Sequence, residues 1–285
     1  MSITEDWQMA YAGLLVGSST DFGVIEIKGL LDLPSVRSGD QTLLRQHGLK
    51  AGDDFLGSRV VAVTMDIYGA NKADMQLRTD EFLTAFTVGD EQALTFQLPG
   101  VAGGGVGRIM ARVRKRSVRH DLDFLNGLTR ATVQLEATDP RIYIEGQSSG
   151  TAELPLVSGG ATFDATFDLA FGTAGTSGSF IAVNEGTFAA PVLLKIEGPA
   201  TDPSIENLST GETLSLTGTI AAGSCYLINT ADRTVMLNGT ASRYSELDAS
   251  SVWLQLAPGD NDLKFRADAY HADALLTATW RSAYV

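Results

Sequence analysis

Apolar and polar residues alternate with period two in several stretches of the chain, and with helical period in one. Within residues 59–67, Val61, Val63, Met65 and Ile67 are apolar while Thr64 and Asp66 alternate with them, which predicts a half-buried strand. Residues 129–138 repeat the pattern, with Ala131, Val133, Leu135 and Ala137 inward and Thr132, Gln134, Glu136 and Thr138 outward. Between these stretches, Met75, Phe82, Leu83, Ala85 and Phe86 fall on one face at 100° per residue, so residues 71–87 predict an amphipathic helix. Asn71 supplies its N-cap, Asp74 and Arg78 form a pair one turn apart, and Gly89 is its stop signal. Residues 36–58 show neither period and are read as neither strand nor helix.

The second half carries short alternating runs at 213–217, 226–229, 234–237, 252–256, 263–267 and 275–280. Turn signals separate them: Ala222-Gly223-Ser224, Asn238-Gly239 and Pro258-Gly259-Asp260-Asn261. Strands at this spacing predict a β-sandwich or jelly roll. Small polar stretches, Gly146–Gly150 and Ser158–Gly160 through Gly172–Ser179, surround two apolar pieces at 154–157 and 167–171 and predict a linker with loose loops. The expected organisation is therefore mainly β: a first domain over residues 1–145 containing one helix, a linker with short strands over 146–186, and a β-sandwich over 187–285.

Composition sharpens this picture. Thirty glycines against 8 prolines in 285 residues favour many turns over long helices, and 44% apolar residues suffice for packed cores. The formal net charge is −13 and is uneven: residues 146–285 hold 6 basic and 15 acidic residues against 15 and 19 in residues 1–145. Such acidity argues against specific nucleic-acid binding, which needs a positive footprint. No apolar run is long enough to span a bilayer, so no membrane insertion is expected. Acidic Glu5 and Asp6 stand where a secretory signal carries basic residues, so synthesis in the cytoplasm is expected. Cys225 is the only cysteine, which excludes an intrachain disulfide and a multi-cysteine metal site.

No constellation carrying chemistry emerges. His120-Asp121-Leu122-Asp123 is read as a solvated turn, and His271-Ala272-Asp273 as part of a hairpin connection between Ala267 and Leu275. Gly175-Thr176-Ser177-Gly178-Ser179 lacks the last glycine of a nucleophile elbow and has no following helix. Gly103-Gly104-Gly105-Val106-Gly107 precedes a strand rather than a helix and lacks Gly-Lys-Ser/Thr, so it is not read as a phosphate loop. No catalytic residue, cofactor site or metal ligand is assigned, and no enzymatic activity is expected.

One segment stands out. In the run from Arg108 to Arg119, strand alternation places Arg108, Arg112, Arg114 and Arg116 on one face and Ile109, Ala111 and Val113 on the other. A strip of this kind in an acidic chain serves as a solvated face or as a contact with acids of a neighbouring copy. As a nucleic-acid strip it lacks interleaved aromatics for base stacking. Arg108, Arg112, Arg114, Lys115 and Arg116 are the candidate subunit contacts. In the second half Trp253, on the outer face by alternation, is the candidate carbohydrate contact.

Over residues 187–285 the chain resembles siphophage distal tail proteins in their C-terminal domain. The residues carrying this are Pro191-Val192-Leu193-Leu194-Lys195-Ile196-Glu197-Gly198-Pro199, Asp202-Pro203-Ser204-Ile205-Glu206-Asn207, Thr210-Gly211-Glu212 and Leu237-Asn238-Gly239. Trp253, Leu256-Ala257-Pro258-Gly259-Asp260-Asn261 and a closing Ala278-Thr279-Trp280 follow in the family's order. The helix and the segment Ala137-Thr138-Asp139-Pro140-Arg141-Ile142-Tyr143 resemble the family's first domain more loosely. The resemblance implies a virion protein at the tip of a long non-contractile tail. Its first domain would form a homo-oligomeric ring, usually a hexamer, continuing the tail tube, with residues 36–58 as an arm towards neighbours. Its galectin-like sandwich would anchor receptor-binding or other tail-tip proteins, and the tail tube and tape-measure proteins would be further partners. The alternative is a carbohydrate-binding module recognising host-surface glycans through the sandwich.

Overall fold

A computed structural model describes residues 3–43, 45–155 and 178–285. The pieces Phe167–Phe171 and Gly175–Ser177, and the end of the 154–157 piece, lie outside the described residues. The chain divides into two compact units, residues 1–145 with 284–285, and residues 146–283.

The first unit opens with β1 (Gln8–Tyr11), β2 (Leu14–Gly17) and β3 (Phe22–Lys28). Four short strands follow: β4 (Val36–Ser38), β5 (Gln41–Thr42), β6 (Leu49–Lys50) and β7 (Asp54–Leu56). Then come β8 (Arg59–Tyr68), α1 (Lys72–Ala85), β9 (Gln92–Gln97), β10 (Gly107–Val118), β11 (Leu128–Ala137) and β12 (Ile142–Ile144). The main sheet runs β2-β1-β9-β10-β11-β8-β3. β10 serves three neighbours: Gly107–Ala111 pairs with β9, Gly107–Arg108 with β12 and Arg112–Val118 with β11.

The two period-two strands are where the pattern placed them. β8 and β11 pair antiparallel along their whole length, and Val61, Val63, Met65, Ile67, Ala131, Val133, Leu135 and Ala137 are all buried. Helix α1 lays Met75, Phe82 and Ala85 over this face. Each large side chain so buried is worth about 1.5–3 kcal/mol. The Asn71 side chain accepts from the Ala73 and Asp74 amides at 3.0 and 3.1 Å, satisfying two orphan donors of the first turn. Asp74 and Arg78 pair at 3.5 Å. The helix ends at Phe86, three residues before Gly89.

The second unit contains β13 (Ser148–Glu153), β14 (Ser179–Asn184), β15 (Ala190–Glu197), β16 (Ala200–Thr201), β17 (Ser204–Asn207), β18 (Glu212–Ser215) and β19 (Thr219–Ile220). It continues with β20 (Cys225–Asn229), β21 (Thr234–Leu237), β22 (Ala241–Ser242), β23 (Gln255–Leu256), β24 (Gly259–Arg266) and β25 (Leu275–Trp280). The last strand, β26 (Ala283–Tyr284), straddles the boundary, Tyr284 belonging to the first unit. One sheet runs β13-β25-β15-β20-β21-β22 and the other β14-β24-β17-β18. Val192, Leu194, Ile196, Ile228, Leu276 and Ala278 of the first, with Ala182, Ile205, Leu263 and Phe265 of the second, are fully or almost fully buried. Alternation in these strands thus points one face inward, as a sandwich requires. Asn238-Gly239 makes the tight turn between β21 and β22, both residues having positive φ (49° and 71°).

Three expectations are corrected. Residues 36–58 are not structureless: β4 pairs with β7 and β5 with β6, giving one long hairpin. The connection holding His271 is not a hairpin, because β24 and β25 lie in different sheets. Gly259, Asp260 and Asn261 are not a turn but the start of β24, and Asn261 is fully buried.

Candidate assembly surfaces

The basic strip of β10 is interrupted by a bulge. Val113 faces Leu135 and Lys115 faces Gln134, so Arg114 is the extra residue. Regular alternation would have turned Lys115 into the core, at a cost of several kcal/mol for an unpaired buried ammonium. The bulge instead leaves Arg114 and Lys115 both exposed and moves Arg116 opposite the buried Val133, onto the helix side. The shared face expected for Arg108, Arg112, Arg114 and Arg116 therefore ends at Arg114.

Each of these cations has its own surroundings. Arg116 donates to the Leu83 carbonyl and, at 2.9 Å, to the Phe86 carbonyl. α1 has no basic residue in its last turn, so Arg116 supplies the cation that the helix C-terminus favours, a contribution of about 0.3–1 kcal/mol. Arg108 pairs with Glu145 at 3.3 Å. Arg114 pairs with Glu136, which also accepts from Ser58 at 2.9 Å, and these bonds hold the Glu136 carboxyl below its usual range. Arg112 lies across from Glu136, and its Nε is buried without a hydrogen-bond partner. Lys115 has no ion pair among the described residues.

The hairpin of residues 36–58 is an arm. Its strand residues are exposed, with only Leu56 half-buried. Three contacts close its ladder: Gly39 N–H to the Asp53 carbonyl (3.0 Å), Gly57 N–H to the Ser35 carbonyl (2.6 Å) and Gly52 N–H to Asp40 Oδ1 (2.9 Å). The Gly52 and Ser38 bonds hold the Asp40 carboxyl below its ordinary value. Leu31 (71%), Leu33 (67%), Leu49 (60%) and Phe55 (59%) stand exposed in and beside it.

The base of the arm is anchored by a residue that sequence reading passed over. Arg59, 1% exposed, donates from Nε to the Pro140 carbonyl (2.7 Å). From Nη1 it donates to the carbonyls of Leu30 (2.6 Å), Asp32 (2.8 Å) and Gly29 (3.2 Å). Burial lowers its pKa, with the charge of Asp32 opposing. Gly29 is required where the chain turns into the arm: its φ is +81° and a Cβ would lie 1.9 Å from the Val60 carbonyl oxygen. The Asp139-Pro140-Arg141-Ile142-Tyr143 segment forms the other wall of this clamp. Tyr143 donates to Asp139 at 2.6 Å, and burial together with that carboxylate raises the phenol's pKa. The only signal of this in the sequence was an arginine at an inward position of a period-two strand.

In the second unit, residues 251–254 are not strand, so alternation does not govern Trp253. Its ring is half-buried and stacks on Tyr244, with centroids 6.1 Å apart and planes 27° apart, while Val252 is exposed. Among the described residues, no group of three or more His, Cys, Asp or Glu is placed to hold a metal ion. Among the described residues, no helix is long and apolar enough to cross a membrane.

Residues 185–284 match the family model of the siphovirus-type tail component, C-terminal domain. The matched residues make up most of the second unit. Its β-sandwich and the motif order of residues 187–285 are thereby tied together, and the resemblance to siphophage distal tail proteins is borne out. The fold of the whole chain is similar to that of the SPP1 Dit protein, described as a paradigm of the hub adsorption apparatus in phages infecting Gram-positive bacteria. The TM-score is 0.67 at 15% identity, covering 98% of this chain and 99% of that one. A chain of the phage P2 baseplate, in its activated conformation with calcium, gives a TM-score of 0.50 at 10% identity over 95% and 97% of the two chains. No match was found among curated protein sequences.

Proposed function

We propose that this chain is a structural hub at the distal end of a long-tailed phage tail. In this reading the first unit forms a homo-oligomeric ring, a hexamer on the family pattern, that continues the tail tube. The sandwich carries baseplate or receptor-binding proteins, and the role involves no chemical step. The tail-component domain and the whole-chain likeness to hub and baseplate proteins support the tail-tip assignment.

The observation that carries the ring is the arm. An isolated two-stranded hairpin is at best marginally stable in water. In this one Leu49 and Phe55 are exposed, and none of its described residues is buried. Covering each such side chain on a neighbour would add about 1.5–3 kcal/mol. Lys115, without an ion pair among the described residues, and Arg112, whose Nε has no hydrogen-bond partner there, offer a second, electrostatic contact. Glycan recognition through Trp253 has less support, since Tyr244 already stacks on its ring.

The test is native mass by light scattering or native mass spectrometry. A ring of several copies is expected from the unmodified chain, with weakened assembly and an intact monomer fold in the Arg112→Glu/Arg114→Glu variant. A persistent monomer at all concentrations would refute the ring, and full assembly of the variant would remove these two arginines from the contact.

A further inference from the structure

The first unit has an open groove of about 670 Å³ between α1, the turn joining β1 to β2, and the loop leading into β3. Leu14 and Leu77 give it an apolar strip, and Leu77 is 55% exposed. Its charged lining is Asp21, Asp80 and Glu81 against a single base, Arg78. That base is already engaged: Arg78 pairs with Asp21 at 2.8 Å, Glu81 at 3.2 Å and Asp74 at 3.5 Å. Asp80 is exposed and has no ion pair among the described residues, so the groove is left acidic.

The arm ends in the opposite combination. Between Gln41 and Lys50 the sequence has Arg45, His47 and Lys50 and no acid, with Leu43 and Leu49 as apolar partners. Arm tip and groove are thus complementary in charge, and each presents one exposed leucine, Leu49 and Leu77. They are different patches of one chain, so contact between them in neighbouring copies is head-to-tail, the geometry that closes rings.

We infer that the groove beside α1 receives the arm tip of the next copy. This rests on the ring reading and adds to it the surface on which the arm lands. Electrostatic matching of this kind sets partner choice and register.

The test uses the full chain carrying Cys225→Ser, which removes the native thiol, with Leu49→Cys and Leu77→Cys added together. Oxidation is expected to give a ladder of covalently linked copies on a denaturing gel, and neither cysteine alone should give it. In parallel, Arg45→Glu or Asp80→Lys alone should raise the concentration for half-assembly about tenfold, and the two together should restore it. A chain that assembles without the ladder and without rescue by the charge swap overturns this inference and leaves the ring standing. A chain that never leaves the monomer overturns the ring itself, and this inference with it.

Discussion

Both units bury polar side chains beneath their loops, but they use different chemistry for different ends. In the first unit a single cation, Arg59, gathers carbonyls from residues 29, 30, 32 and 140. What it holds is the root of an arm that lies outside the core. In the second unit three neutral amides, Asn184, Asn207 and Asn261, all 0% exposed, close the sandwich on itself. Asn261 donates to the carbonyls of Ala257 (2.8 Å), Gly259 (3.0 Å) and Ala182 (3.3 Å). Its own oxygen accepts from Asn207 Nδ2 and the Ala257 amide, each at 3.0 Å. Asn184 donates to Phe188 and Leu256 and accepts from the Gly186 and Ala283 amides. An amide has two donors and two acceptor positions and loses little on leaving water once all are used. A guanidinium only donates and carries its charge inside, so it suits a site rich in carbonyls and fixes a direction more rigidly than an amide does. The first unit is built to present something outward, and the second to be complete.

The largest way to break this comparison is Arg59→Met. It removes the cation but leaves four carbonyls without their donor, and should cost the first unit roughly 3 kcal/mol. Limited proteolysis should then cut within residues 29–58, and a first unit that unfolds at the unmodified urea concentration would show the clamp to be dispensable. Next is Asn261→Ala, expected to cost the second unit about 2 kcal/mol by orphaning the Asn207 amide and the carbonyls at 182, 257 and 259. Hydrogen exchange should accelerate in β14 and β24 and stay unchanged in β8 and β11; acceleration in both units would contradict their independence. The smallest effect is a pH limb. Burial, then the hydrogen bond to Glu246 and its charge, push the Tyr226 phenol up to about 12. The folded state therefore keeps this proton longer than the unfolded chain does. Stability is fully present below the ordinary tyrosine range near pH ~10 and is lost as pH rises towards about 12. Alkaline unfolding followed by phenolate absorbance should show this limb, and Tyr226→Phe should remove it; an identical alkaline profile in the variant would assign the limb elsewhere.

The elements legible in advance were those whose pattern repeats over many residues. β8 and β11 carry ten residues each with one face in the core, and α1 brings its own cap and ion pair. The arm was illegible because its strands are two or three residues long and exposed on both faces, so no alternation marks them. Of the candidate strip, Arg108, Arg112 and Arg114 were placed correctly on one face and Arg116 was not, because a bulge of one residue reverses every side chain beyond it. Asn207 and Asn261 stood inside quoted motifs, but a buried bracket and a surface turn use the same residues.

By itself the amino-acid order determined the β-rich class, the helix with its start, the turn at Asn238-Gly239 and the motif chain shared with tail components. These are local properties, decided by side-chain period and backbone preference within a few residues. Only the tertiary structure decided where the bulge falls, what Arg59 and Asn261 hold, and which surfaces stay uncovered. Those depend on partners tens of residues away, such as Arg59 with Pro140 or Asn261 with Ala182, and on which buried polar groups the fold can satisfy.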